Sequence, residues 1–419
     1  MAPAAPTAPT VKDLAEINLA DPDNFAEGVP HHWFRALRER APVYWHPGTA
    51  TIGNGFWCVT RYEDVKEVSR NPTVYSSEKG GTNIPDMPEA GLQQVRAIML
   101  NMDPPRHVQY RRLVQRGFTP RMIDNLKPAI FDRAKQIVDG VITRGRAEFV
   151  SEVAAELPLQ MICEMVGVPQ EDRKRIFDLT NQLVGFDDPD LKDKQAAGMS
   201  AAIQMFMYAN QLATRYREQP ADNLTSVLLR AEVDGERLSE LDFCSFFLLL
   251  CTAGSETTRS VTANGMRLLL ENPEVLEQLA NDPSLIPVAV EEFLRFDPAV
   301  NYFRRTATQD TELRGQKIRE GDKVTVWYPA ANRDPDFFPE PERFDIRRTP
   351  NDHLSFGIGE HFCLGTNLAR LELIAIFEQV LGRMKNPQLD GPPRRLRSNF
   401  LNSMKEMNIT FTPGPPAGA

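Results

Sequence analysis

The densest chemistry in this sequence lies near its C-terminal end. There Phe356-Gly357-Ile358-Gly359-Glu360-His361-Phe362-Cys363-Leu364-Gly365 precedes a helix-forming stretch that begins at Asn367. Glycines at 357 and 359 let the backbone turn tightly beside a flat ligand, and Gly365 permits a close approach where any side chain would clash. Cys363 stands just ahead of the helix, where free amide protons and the positive end of the dipole stabilise a thiolate and tune its donor strength. Alone, Cys363 would be a small buried hydrophobe, as most lone cysteines are. The two glycines, Phe356, His361 and Gly365 around it argue for more than that. A zinc site built from His353, His361 and Cys363 lacks a fourth ligand at a sensible spacing.

This run resembles the haem-binding loop of the cytochrome P450 superfamily, and other segments match that family in the expected order. Glu292-Phe-Leu-Arg295 resembles its Glu-x-x-Arg helix, and Pro341-Glu-Arg343-Phe resembles the meander that adds a third member to that charge cluster. Buried carboxylates and guanidinium groups persist only when paired and hydrogen-bonded, which arginine does in bidentate fashion. Ala253-Gly-Ser-Glu256-Thr257-Thr258 is similar to the oxygen-activating helix signature. Gly254 in mid-helix costs ~1 kcal/mol against alanine, so something should offset it. The resemblance implies that Thr257 bonds back into the helix and opens a groove for dioxygen and water. It also implies that Glu256 relays protons from solvent and that Thr257 steadies the oxygen being reduced.

Asp103-Pro-Pro-Arg-His107-Val-Gln-Tyr-Arg111 resembles the start of the helix that pins the haem propionates. Two prolines set up the helix start, and His107 and Arg111, four apart, share one face. Arg305 matches the propionate-binding arginine of the strand after the Glu-x-x-Arg helix, His361 is a further such group, and His353 ranks below them. By resemblance the chain is a haem-thiolate monooxygenase that carries haem b, with Cys363 as axial iron ligand. Its electrons come from NAD(P)H through a ferredoxin reductase and an iron-sulfur ferredoxin, and dioxygen is the oxidant. Arg111, Arg112 and Arg116 suggest a positive proximal face for the ferredoxin, or simply a solvated helix face. A haem-thiolate peroxygenase, driven by peroxide alone, and a non-catalytic haem sensor are the alternatives. The intact acid and alcohol pair at 256 and 257 argues against both.

The elements needed to hold these residues can be read from the whole chain of 419 residues. No Gly/Ser-rich or charge-run linker interrupts residues 20 to 410, and a chain this long can enclose a bulky, dry cofactor. Residues 16–411 are expected to form one mainly α cytochrome P450 domain with a smaller β-sheet region. The Pro/Ala-rich ends, 1–15 and 412–419, are expected to be mobile tails. Most of residues 105 to 295 reads as helices, the longest from Leu241 to Leu270. Residues 55–60 and 323–328 read as strands, and 332–348 as an irregular meander.

A net charge of -9 argues against a nucleic-acid footprint spread over the chain. There is no basic segment followed by an apolar one at the N-terminus, and no apolar stretch approaches the ~20 residues that span a bilayer. Five cysteines without a CxxC pair fit a reducing compartment. The protein is therefore expected to be a cytoplasmic monomer. Its substrate-facing segments are expected at 83–100, 184–206, 246–253, 300–303 and 400–402, with Phe246, Leu250, Ala253, Val300, Phe400 and Leu401 as pocket residues. These segments are largely apolar. Local phrasing such as Met99-Leu-Asn-Met-Asp-Pro-Pro resembles family members that hydroxylate steroid side chains, terpenoids or branched alkyl chains.

Overall fold

A computed structural model describes residues 11–49, 52–183, 195–233 and 235–418. The helices that frame the site are α1 (Arg106–Val114), α2 (Pro120–Ile142), α3 (Glu156–Val166), α4 (Gln195–Glu218), α5 (Glu240–Glu271), α6 (Ile286–Phe296) and α7 (Thr366–Arg383). The longest, α5, matches the expected Leu241–Leu270 helix. Its start is fixed by a capping box, in which Ser239 Oγ accepts from the Asp242 amide at 3.1 Å and Asp242 accepts from the Ser239 amide at 3.2 Å. It runs without a break past α3, α4, α6 and α7.

Close packing at the centre follows from a glycine. A Cβ at Gly265 of α5 would lie 2.9 Å from the Phe377 ring of α7 and 3.0 Å from the Phe293 ring of α6. Those two rings are themselves 4.9 Å apart. Burying each aromatic side chain contributes roughly 1.5–3 kcal/mol, so this three-helix contact is a main anchor of the body.

The principal sheet has five strands: β1 (Val43–His46), β2 (Phe56–Val59), β3 (Tyr75–Ser76), β4 (Tyr302–Ala307) and β5 (Lys323–Trp327), in the order β1-β2-β5-β4-β3. Both strands expected from sequence lie in it. β5, with every residue buried, runs parallel to β2 and antiparallel to β4. Successive residues on a strand face opposite ways, which gives two adjacent arginines of β4 different tasks. Arg304 donates to Asp86 at 2.8 Å and to the carbonyls of Asn83, Ile84 and Pro85, holding the loop there. Arg305 points into the interior described below.

Residues 1–10 and Ala419, parts of the two expected tails, lie outside the described residues. Within the rest of those tails, the Leu14 carbonyl accepts from Tyr44 Oη at 3.1 Å, and the Ala417 amide donates to Asp139 at 2.7 Å. Among the described residues no helix is long and apolar enough to cross a membrane.

Candidate active site

The Cys363 loop is shaped by its glycines. Gly357 and Gly359 have φ of 67° and 80°, in the left-handed region that favours glycine, and a Cβ at Gly359 would sit 2.6 Å from the Ser69 carbonyl. The Cys363 amide closes the loop on the Phe356 carbonyl at 2.9 Å. Behind it, Arg370 of α7 lies 4.7 Å from the centre of the Phe356 ring and donates twice to Glu291 of α6, at 2.7 and 2.8 Å. His353 Nε2 shares the same carboxylate at 3.2 Å, so this histidine is committed to Glu291. Burial pushes the Cys363 thiol up, while the Gly365 amide and the guanidinium groups of Arg111 and Arg370 pull it back. A metal bound to the sulfur would supply the charge that ionises it.

Cys363 opens into a cavity of about 250 Å³. One wall is the loop and one face of α7, namely Gly365, Leu368, Ala369, Glu372 and Leu373. The facing wall is α5, with Phe246, Leu249, Leu250, Ala253, Gly254, Thr257, Thr258 and Val261 recurring at helical spacing. A Cβ on Gly365 would meet no protein atom within 4 Å, so the space beside it is cavity and has room for a flat group. On α5, a Cβ at Gly254 would lie 2.7 Å from Ile162 of α3, so this glycine lets the two helices close over the cavity. Thr257 Oγ donates to the Ala253 carbonyl at 2.8 Å, the back-bond expected from sequence, yet α5 stays helical through it.

Glu256 is placed differently from its neighbour. It is buried, does not line the cavity, and pairs with Arg259 at 2.5 Å. Burial raises its carboxyl, and Arg259 offsets part of that rise.

Four nitrogen-bearing side chains gather at one end of the cavity: His107 and Arg111 of α1, Arg305 of β4 and His361 of the loop. The buried Arg305 guanidinium donates only to the Arg304 carbonyl, at 2.9 Å, and no carboxylate among the described residues pairs with it. Arg111 donates to the Phe362 carbonyl at 2.6 Å. Among the described residues, both ring nitrogens of the buried His107 lack a hydrogen-bond partner, and a carboxylate oxygen of Glu360 is 3.9 Å away. Burial, reinforced by Arg111, lowers His107 to about 4, and burial likewise holds His361 well below its usual value. The buried, under-bonded Arg305 and His107 fit buried carboxylates arriving with a ligand, whereas His361 Nε2 already meets Ser77 Oγ at 3.2 Å. A largely apolar cavity lined by a thiol and by anion-seeking donors suits haem with its two propionates.

The expected charge cluster is present with one correction. Arg295 donates to both oxygens of Glu292, at 2.8 and 2.7 Å, and both side chains are 0% exposed. The third cation is Arg348, whose Nε lies 3.3 Å from Glu292, rather than the Arg343 expected from sequence. Arg343 offers Arg295 its carbonyl at 3.2 Å, while its guanidinium, 60% exposed, turns to Glu340 and Asp345. The meander thus presents backbone at 343 and a charged side chain five residues later, which the Pro-Glu-Arg-Phe phrase could not reveal.

Of the expected pocket residues, Phe246, Leu250, Ala253 and Val300 line the cavity, whereas Phe400 and Leu401 do not. Phe400 packs behind Phe303, which does line it, with ring centres 5.6 Å apart. Leu401 forms a β-bridge with Val300. Within the expected segment 184–206, residues 184–194 lie outside the described residues. Sequence reasoning passed over Ile162 and Glu372, both on the cavity wall. An acidic residue between Leu371 and Leu373, in the apolar pattern of α7, was the available signal for Glu372.

Comparison with known proteins is consistent with this geometry. The family model described as Cytochrome P450 matches residues 152–411. A steroid C26-monooxygenase of Rhodococcus jostii (strain RHA1) is 42% identical over 403 residues, covering 94% of this chain and 84% of the relative. A methyl-branched lipid omega-hydroxylase of Mycobacterium tuberculosis (strain ATCC 25618 / H37Rv) is 41% identical over 417 residues, 97% of each chain. Among solved structures, a Mycobacterium marinum cytochrome P450 in complex with pseudoionone superposes with a TM-score of 0.87 at 37% identity, covering 97% of this chain and all of that one.

Proposed function

Because the chain belongs to the cytochrome P450 family of monooxygenases, whose cofactor is haem iron, we propose that it hydroxylates an apolar steroid side chain, terpenoid or branched alkyl chain at the α5 wall of its cavity. The observation that carries this reading is the placement of Cys363 and Thr257 on facing walls of one largely apolar cavity with cationic donors at one end. In this reading Cys363 is the axial ligand, and His107, Arg111, Arg305 and His361 hold the propionates of haem b. When bound, thiolate-ligated haem supplies activation of dioxygen, because the sulfur pushes electron density toward O–O cleavage.

The chain's own residues do the rest. Phe246, Leu250, Ala253, Val300 and Phe303 orient an apolar substrate and exclude water. Thr257, on the cavity wall, holds a proton where dioxygen would sit. Glu256 brings protons from outside the cavity, which requires it to exchange its Arg259 partner for a path inward. The two electrons come from NAD(P)H through a ferredoxin reductase and an iron-sulfur ferredoxin, with the exposed Arg112 and Arg116 as part of the docking face. The protein works as a monomer in the cytoplasm.

Two expected outcomes test these roles. Titrating the haem-loaded protein with a panel of terpenes, sterols and fatty acids should give a high-spin spectral shift with bulky apolar ligands and none with small charged ones. A response confined to small charged ligands would overturn the substrate reading. Thr257→Ala should still bind substrate and consume oxygen, with product per NAD(P)H falling roughly tenfold or more and hydrogen peroxide rising in its place. Glu256→Gln should slow the whole cycle. Unchanged coupling in the first variant and an unslowed cycle in the second would refute the proton-delivery roles.

A further inference from the structure

Glu372 is the one acidic side chain among the described residues that line the cavity. It is 2% exposed and, among the described residues, enters no ion pair or hydrogen bond, and its Oε1 is fully enclosed without a partner there. The helix that carries it begins three residues after Cys363, so Glu372 shares a wall with the sulfur. α2, α3, α5, α6 and the helix Pro273–Asn281 pack against α7, and no charged group on them acts on this carboxyl. A buried carboxyl with neither a counter-charge nor a hydrogen bond is stable only when protonated.

We propose, resting on the haem-thiolate reading above, that Glu372 couples electron entry to proton uptake: at alkaline pH its carboxylate takes a proton from solvent when the iron gains one electron. The balance is simple. An external one-electron donor is oxidised, iron passes from ferric to ferrous, and the Glu372 carboxylate becomes a carboxylic acid, so the buried site gains no net charge. Without that proton, an added electron would meet a second uncompensated negative charge in a medium of low dielectric.

Burial raises the Glu372 carboxyl to about 8. Below that pH it is neutral in both redox states, and the potential should not change with pH. Above it, the ferric protein carries a carboxylate that reduction neutralises, so the potential should fall as pH rises. The other titratable groups facing the cavity are shared by the wild type and Glu372→Gln, so a slope that they cause appears in both. His107 lies at about 4 and His361 well below its usual value, while Tyr328 is raised from an already alkaline one. Arg111 and Arg305 remain charged throughout.

The test is a spectroelectrochemical titration of the haem-loaded protein from neutral to alkaline pH, beside Glu372→Gln, which keeps the shape and removes the proton. The wild type should give a potential level near neutrality that falls toward one proton per electron above about pH 8. Glu372→Gln should stay level through that range. Reduced-minus-oxidised infrared spectra at alkaline pH should show a protonated carboxyl band that the variant lacks. A level wild-type profile, or an equal slope in the variant, would overturn the coupling. The carbonyl spectrum of each protein separately reports whether the haem-thiolate reading itself holds.

Discussion

Glu292→Ala is expected to yield little or no haem-loaded protein and to lower stability by about 3–5 kcal/mol, the range for breaking a buried charge pair from one side. The reason lies in what each partner keeps. Without Glu292, the fully buried Arg295 retains the carbonyls of Asn332, Pro341 and Arg343, at 2.8, 3.0 and 3.2 Å, but no counter-charge. Arg348 loses its buried partner as well. Without Arg295, Glu292 still has Arg348 at 3.3 Å, the Asp345 amide at 2.9 Å and Asn351 at 3.1 Å. Arg295→Ala should therefore be harmful but less so. Arg343→Ala should cost about 0.5 kcal/mol or less, because its exposed guanidinium pairs only with surface carboxylates. Denaturant midpoints and haem content of the three variants give the order. An Arg343→Ala variant as damaged as Glu292→Ala would show that the side chain at 343, and not the one at 348, completes the cluster.

The same cluster shows how far the sequence could be read. Glu292 and Arg295 are one helical turn apart, so local spacing was enough to pair them. Their third partner comes from an irregular segment in which no periodicity says which way a side chain turns, and the backbone of Arg343 took the place expected of its side chain. Long periodic elements were legible for the opposite reason. The α5 helix has a capping residue, an apolar face and an asparagine–proline stop, and it fell within a residue of its expected ends. Strands β2 and β5 were bounded by turn residues and rich in aromatic and β-branched types.

At the site, what a short motif fixes was legible and what depends on facing was not. Gly357, Gly359 and Cys363 belong to one loop whose conformation its glycines dictate. Glu256 and Thr257 are neighbours in sequence but lie about 100° apart around a helix, and only Thr257 reaches the cavity. That separation is invisible in the Ala-Gly-Ser-Glu-Thr-Thr string until the packing of α3 and α7 against α5 fixes which face is inward. Phe400 and Leu401, expected in the pocket as part of segment 400–402, instead back its wall through Phe303 and Val300. Glu372 went unremarked because its meaning comes from the absence of any partner in space, which sequence does not display.

Replacing Cys363 should have the largest effect on function. Cys363→His should abolish the spectral signature of thiolate ligation and all dioxygen-dependent hydroxylation, since imidazole cannot push electron density to the iron as a thiolate does. The fold should survive, because the loop is held by the Cys363 amide, the Phe356–Arg370 contact and the Glu291 pairs, none of which uses the sulfur. The measurement that bears most directly on the account is the absorption spectrum of the ferrous carbonyl complex of the wild-type protein. The expected result is the red-shifted Soret band of a thiolate-ligated haem, lost in Cys363→His. A wild-type spectrum like that of a histidine-ligated globin, or an unchanged red-shifted band in Cys363→His, would contradict the assignment of Cys363 as the ligand.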